Sequence, residues 1–228
     1  MKIIELISVP GLIICFNACI QPAQPENIKK PLLTEIENGY IPANDSDLMN
    51  VQEYVQWIQD VRHGFRKELN AGEFTFSAQF KPYEYIVCLE EHTSEIPDTL
   101  IKRKVEELNG MQYYDLRIRL NGSGGELLKH NSSSDQQYSD RVNYFSFEMQ
   151  KDIHLVEGTD TLACQLYHFE RTFDVSPTST ILLGFPISTQ TNSEVKTLVV
   201  YDRTFNNGLL KFTFSKKVLK NLPKLKTI

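Results

Sequence analysis

Positive charge is in short supply in this sequence. Its 228 residues carry 24 Lys plus Arg against 29 Asp plus Glu, a net charge of -5 and a pI near 5.6. No basic field is available to attract nucleic acid, which argues against a genome-binding role. Histidine and cysteine are scarce as well, at 5 and 4 residues. In the body of the chain Cys88 and Cys164 stand alone and the histidines at 63, 92, 130, 154 and 168 are scattered, so the closely spaced ligand pairs of a zinc site are missing. There is no G-x-S-x-G nucleophile elbow, and Gly122-Ser123-Gly124-Gly125 lacks the Lys-Ser/Thr that completes a phosphate loop, which leaves it as a turn. A single apolar run, Leu6–Phe16, is long enough to engage a bilayer, which leaves no room for a multi-span channel or transporter. With 11 Gly, 10 Pro, 41% hydrophobic and 23% charged residues, what remains has the composition of an ordinary globular domain.

The apolar run is too short for a comfortable transmembrane helix, and Pro10 and Gly11 interrupt it. Residues 1–18 read instead as a signal peptide. Ala18 directly before Cys19 offers the small side chain that a lipoprotein signal peptidase accommodates ahead of a cysteine to be lipidated, so this end of the chain resembles a bacterial lipoprotein signal. Phe16, Asn17 and the acidic Glu5 depart from the usual pattern. A diacylglyceryl group and an N-acyl chain on Cys19, at about 0.8 kcal/mol per buried CH₂, would hold the domain on a membrane. Residues 19–46 contain Pro22, Pro25, Pro31 and Pro42 among polar neighbours and read as an extended tether.

Residues 47–228 read as one β-rich domain. Leu48, Val51, Val55, Ile58 and Val61 recur at helical spacing and predict a helix capped by Ser46, running to about residue 63 and stopped by Gly64. Asn70-Ala71-Gly72 reads as a hairpin turn into Glu73–Phe80, whose alternation predicts a half-buried strand. Tyr83–Glu90 reads as another strand, and 97–109 as a short helix opened by Pro97 or Asp98 and ended by Gly110. Met111–Leu120 alternates again and a polar loop spans 129–140. Val142–Met149, Ile153–Val156, Leu162–Phe169, Thr180–Pro186, Lys196–Asp202 and Leu209–Phe214 then follow as short strands. The expected fold is α+β and mostly β: an N-terminal helix, one further short helix, and an antiparallel β-sandwich or curled sheet.

Two stretches carry a resemblance. They are Gly72-Glu73-Phe74-Thr75-Phe76 continuing to Gln79-Phe80-Lys81-Pro82 and Glu84-Tyr85, and Leu155-Val156-Glu157-Gly158 continuing through Asp160-Thr161 to Tyr167-His168-Phe169-Glu170-Arg171 and Ser176-Pro177. With Cys19 they resemble uncharacterised lipoproteins of Bacteroidetes-type bacteria, which implies an envelope address and no particular activity. The segments Ser176–Thr180, Ile181–Pro186 and Leu198–Asp202 are similar to the late strands of immunoglobulin-like domains in bacterial surface lipoproteins, a likeness of fold alone. Surface-exported lipoproteins of that bacterial group commonly carry an acidic cluster after the lipidated cysteine. Ile20-Gln21-Pro22-Ala23-Gln24-Pro25-Glu26 lacks one, so the resemblance implies a domain facing the periplasm. Asp98-Thr99-Leu100 and Asp160-Thr161-Leu162 resemble the O-glycosylation pattern of periplasmic proteins from these bacteria, which requires Thr99 and Thr161 to be exposed.

Few residues are left for chemistry. His168 and Glu170 point to one face of a predicted strand and are the nearest approach to a metal or acid-base pair. Glu90 and Glu91, at a predicted strand end, face opposite ways and would serve glycoside chemistry only with a partner across a cleft. Cys88 and Cys164 lie in apolar segments, as two buried thiols or as a disulfide contributing about 4 kcal/mol. Tyr113-Tyr114 and Tyr144-Phe145 either pack the core or line a sugar or partner surface. No metal and no cofactor is implied. The sequence thus points to a membrane-anchored envelope lipoprotein acting as a non-catalytic binding or assembly module. Its expected partners are the membrane, through the anchor, and an envelope protein or glycan. A cell-envelope hydrolase or carbohydrate-active enzyme is the alternative, and a small-ligand carrier would need a large apolar cavity within the β region.

Overall fold

A computed structural model describes residues 34–35, 40–43, 48–122, 125–171, 176–190 and 192–228. The signal peptide, Cys19, most of the tether and Ser46 lie outside the described residues. Two short strands, β1 (Thr34–Glu35) and β2 (Leu48–Met49), precede helix α1 (Val51–Gln59). Asn50 caps α1: its side-chain oxygen accepts from the Glu53 N–H and the Glu53 carboxylate accepts from the Asn50 N–H, both at 3.0 Å. This reciprocal box satisfies two donors that a helix start leaves free. Val51, Tyr54 and Ile58 form the buried stripe. The helix is shorter than its spacing predicts, because Asp60 is extended (ψ 123°) and accepts from the Arg62 N–H at 2.9 Å. Val61–His63 is a separate 3-10 turn that closes on Gly64 at φ 78°.

Strands β3 (Arg66–Ala71) and β4 (Phe74–Lys81) form the expected hairpin. β4 is buried on both faces rather than one: Thr75, Ser77 and Gln79 are as enclosed as Phe74, Phe76 and Ala78. Gln79 Nε2 donates to the carbonyls of Ile58 at 3.0 Å and Phe65 at 3.2 Å, so that end of the far face is closed over, while Thr75 and Ser77 lie at the floor of a polar groove.

Tyr83–Glu91 is helix α2, not a strand. Its aromatic and β-branched residues have strand composition. Pro82, however, has no N–H with which to extend the β4 ladder and suits a helix start. Residues Tyr85 to Cys88 are buried, and the helix packs against α1 and against α3 (Asp98–Leu108). Helix α3 and strand β5 (Met111–Leu120) stand where the pattern places them. Helix α4 (Asp135–Asn143) and a π-helical turn over Tyr144–Glu148 replace the second half of the expected loop at 129–140 and nearly all of the expected strand at 142–149. Ser134 caps α4, its Oγ accepting from the Gln137 N–H at 3.2 Å.

The remainder is β6 (Ile153–Glu157), β7 (Asp160–Ala163), β8 (Leu166–Glu170), β9 (Thr178–Pro186), β10 (Val195–Asp202), β11 (Gly208–Ser215), the short helix α5 (Lys216–Lys220) and β12 (Lys224–Leu225). The expected single strand Leu162–Phe169 is two strands in different sheets, the chain crossing over at Cys164 and Gln165.

One antiparallel sheet runs β1-β3-β4-β5-β9-β8 and a second runs β11-β10-β6-β7, while β2 and β12 pair in parallel. Neither large sheet closes into a barrel. Aromatic rings fill the space between them: Tyr114 of β5 lies 5.6 Å from Phe214 of β11 and 5.8 Å from Phe185 of β9. The fold is therefore α+β and mostly β, with four helices besides α1 rather than one. No helix among the described residues is long and apolar enough to cross a membrane. Alternation fixes which side chains turn inward: Gln112, Tyr114, Leu116 and Ile118 from β5, Ile153, Leu155 and Glu157 from β6, and Lys196, Leu198 and Val200 from β10.

Candidate functional site

Apart from Asp202 at the far end of β10, three members of those inward rows are polar: Gln112, Glu157 and Lys196. Each stands at or next to the end of its strand, and the three meet at one end of the sandwich. The β10–β6 register, with Thr197 opposite Val156, carries Lys196 to the position beside Glu157. Gln112 Nε2 donates to Glu157 Oε1 at 2.7 Å and to the Pro186 carbonyl at 3.0 Å. Lys196 Nζ donates to Gln112 Oε1 at 2.5 Å and lies 3.5 Å from Glu157 Oε1. Lys216, the first residue of α5, holds Glu157 Oε2 at 2.9 Å and donates to the Gln190 carbonyl at 3.1 Å. Glu157 is almost wholly enclosed, its side chain 3% exposed. Burial pushes its carboxyl up, but hydrogen bonds from Gln112 and Lys216 and the charges of both lysines outweigh this and hold it below its ordinary value. Burial lowers Lys196, with Glu157 restoring part of the loss.

This polar cluster borders a cleft of about 320 Å³ with apolar walls. Phe80, Tyr83, Met111, Ile187, Leu219 and Leu222 line it, together with the polar Gln112 and the charged Lys81, Glu84 and Lys196. The Tyr83 hydroxyl donates to the Met111 carbonyl at 2.7 Å, which fixes that wall. Lys196 Nζ lies 5.8 Å from the centre of the Phe80 ring, a cation held against an aromatic face. Lys81 beside it is matched by Asp115 at 3.1 Å. An apolar cleft with a few convergent polar groups suits a molecule with an apolar body and one polar end. It opens at the surface, while between the sheets Tyr114 packs against Phe185 and Phe214.

The residues singled out in the sequence lie elsewhere. His168 and Glu170 share one face of the exposed edge strand β8, and neither side chain hydrogen-bonds or ion-pairs with a described residue. Glu170 borders a polar groove on the outer face of its sheet with Arg66, Arg117 and Arg119, which are cations and not metal ligands. Among the described residues no three His, Cys, Asp or Glu gather as a metal site. Glu90 and Glu91 end helix α2 rather than a strand, and Lys104 holds both, at 2.9 and 3.6 Å. Cys88 in α2 and Cys164 between β7 and β8 are free and buried, and burial raises each thiol to about 11. At neutral pH they are protonated and poorly nucleophilic. Thr99, in the first turn of α3, and Thr161, on β7, are both exposed. Tyr114 and Phe145 are core residues; Tyr113 donates to the Leu108 carbonyl and Tyr144 donates to Asp152 at 2.8 Å.

The Asp152 pair belongs to a second concavity, of about 490 Å³, lined by Asp140, Arg141, Tyr144, Asp152 and Arg203. There Arg203 takes the other Asp152 oxygen at 2.5 Å, and Arg141 donates to the carbonyls of Leu128 and His130. The cleft over Lys196 was legible in one signal only, a polar residue in the inward phase of a strand. Counting apolar residues passes over it.

Fold and cleft together define a two-sheet antiparallel α+β domain with an amphipathic cleft at one end. No family model matches the chain, and no curated protein or solved structure matches it either.

Proposed function

We propose that this chain is a lipid-anchored envelope protein of the Bacteroidetes lipoprotein kind, whose domain binds a ligand without transforming it and faces the periplasm. The observation that carries the binding reading is the cleft, where apolar walls converge on Lys196 and Gln112 from the inward rows of β10 and β5. The anchor rests on the Ala18-Cys19 junction, followed by the Pro-rich stretch to residue 46. A hydrolase reading draws no support from the residues that suggested it, since Lys104 holds Glu90 and Glu91 while His168 and Glu170 stand on an open sheet edge.

The test compares wild type with Cys19→Ala for intact mass and partitioning into membranes. The wild type is expected to begin at Cys19 with added acyl mass and to sediment with membranes, and the variant to be released or left unprocessed. A wild-type chain that is soluble and unacylated overturns the anchor. Protease added to intact cells, set against protease added after the outer membrane is opened, reports the face.

A further inference from the structure

Glu157 is one carboxylate shared by two ammonium groups. Lys216 binds its Oε2 at 2.9 Å, whereas Lys196 stands 3.5 Å from Oε1 and makes its closest bond, at 2.5 Å, with the uncharged oxygen of Gln112. Lys220 adds a further positive field at Lys196. The two lysines thus carry one positive charge more than Glu157 neutralises. The excess is presented to the cleft through Lys196, whose side chain is 18% exposed there. Partial burial matters, because a cation with little water around it gains most from an anion that enters with it. Glu84 also lines the cleft, and its carboxylate opposes a dianionic head about twice as strongly as a singly charged one. The volume of about 320 Å³ lies near the lower bound of ligand pockets, ~300–1,000 Å³, which favours one alkyl chain over the two of a phospholipid.

We infer that the cleft binds a single-chain anionic amphiphile, an alkyl carboxylate, with its head on Lys196 and its chain along Phe80, Met111, Ile187, Leu219 and Leu222. The inference rests on reading this cleft as the ligand site. The carboxylate accepts from a further N–H of the Lys196 ammonium, while Gln112 keeps its bonds to Glu157 and the Pro186 carbonyl and holds the Lys196 side chain in place. Such charge-assisted bonds are about twice as strong as neutral ones, and the alkyl chain supplies the non-directional part of the affinity.

The experiment titrates the full chain carrying Cys19→Ala, free of acyl groups and detergent, with decanoate, decanol and decyltrimethylammonium by calorimetry. Decanoate is expected to bind one to one and at least tenfold more tightly than decanol, with the cation weakest. Lys196→Met keeps the apolar stem and leaves Lys216 on Glu157. It is expected to weaken decanoate at least tenfold and leave decanol unchanged, while Lys196→Arg restores the preference. Ile187→Glu, at a position 51% exposed, is expected to abolish decanoate binding with the circular dichroism spectrum intact. Equal binding of decanoate and decanol, both indifferent to Lys196→Met but lost with Ile187→Glu, overturns the carboxylate inference and leaves the cleft as the ligand site. Binding indifferent to Ile187→Glu, or no binding of any probe, overturns the reading of the cleft itself. An apolar tetrapeptide with a free C-terminus that binds where decanoate does not would assign the cleft to a protein partner and overturn the amphiphile.

Discussion

Glu157 serves two ammonium groups and an amide from a position with almost no contact with water. Removing one member of such a cluster leaves the others charged and enclosed. Glu157→Gln is expected to lower stability by about 3 kcal/mol in urea unfolding at pH 7. Because the folded protein holds this carboxyl below its ordinary 4.5, the stability it contributes is complete above about pH 4.5 and is lost as pH falls through the folded value. The Glu157→Gln variant is therefore expected to lose part of the acid sensitivity of the wild type below pH 4.5, read as a flatter dependence of the urea midpoint on pH. Lys196 changes stability with pH in the same direction, but in alkaline solution and because folding disfavours its charged form rather than favouring it. Its folded value is lowered, so the unfolded chain binds more protons in alkaline solution and stability rises with pH towards the ordinary lysine value. The surface acid Asp60 is held to about 2 by the hydrogen bond from Arg62, but that pair is exposed and contributes little to stability.

At the scale of elements, Asn50 opens helix α1 and Gly64 closes the 3-10 turn that follows it, two devices of different strength. Asn50→Ala removes the capping box and is expected to cost about 1 kcal/mol. Gly64→Ala meets two obstacles: a backbone at φ 78° and a Val218 methyl 2.7 Å from the new Cβ. The left-handed conformation alone costs about 1–2 kcal/mol for a residue with a side chain. The expected loss therefore exceeds that of Asn50→Ala, and thermal unfolding of the two variants side by side checks the order. These boundaries also show which elements sequence reveals. Helix α3, between Pro97 and Gly110, and the alternating strand β5 carry their signals within their own residues, so both were legible. Helix α2 was not, because Tyr83–Glu91 has strand composition and its conformation is settled by Pro82 and by packing against α1 and α3. Nor was the break at Cys164, since which sheet a strand joins depends on partners distant in the chain: β8 pairs with β9 and β7 with β6.

At the scale of the whole molecule, the two ends of the described domain are tied together. β12 pairs with β2, the Lys226 N–H donates to the Met49 carbonyl at 2.8 Å, the Ile228 N–H donates to the Ile96 carbonyl at 3.3 Å, and the Asp98 N–H donates to the Ile228 carbonyl at 3.2 Å. Deleting residues 224–228 removes these bonds and the cover that Leu225 gives the core. At roughly 1 kcal/mol net per hydrogen bond the expected loss is about 3 kcal/mol, read from the urea midpoint. The Asp98 amide is expected to exchange faster in the truncated chain.

The sequence by itself determined the class of fold, the hairpin, helix α3 and most of the later strands, because alternation, caps and turn residues act within a few positions of themselves. It left Cys88 and Cys164 as two buried thiols or a disulfide, and in the structure both are free and buried. The tertiary structure decided what those local rules leave open. It made a helix of Tyr83–Glu91, divided Leu162–Phe169 between two sheets, and buried the second face of β4. It also brought Gln112, Glu157, Lys196 and Lys216 to one point beside an apolar cleft. A polar residue at the end of an inward row is ordinary in any one strand. It becomes a site only when register and sheet packing set several such residues within hydrogen-bonding distance, and that depends on contacts between residues far apart in sequence.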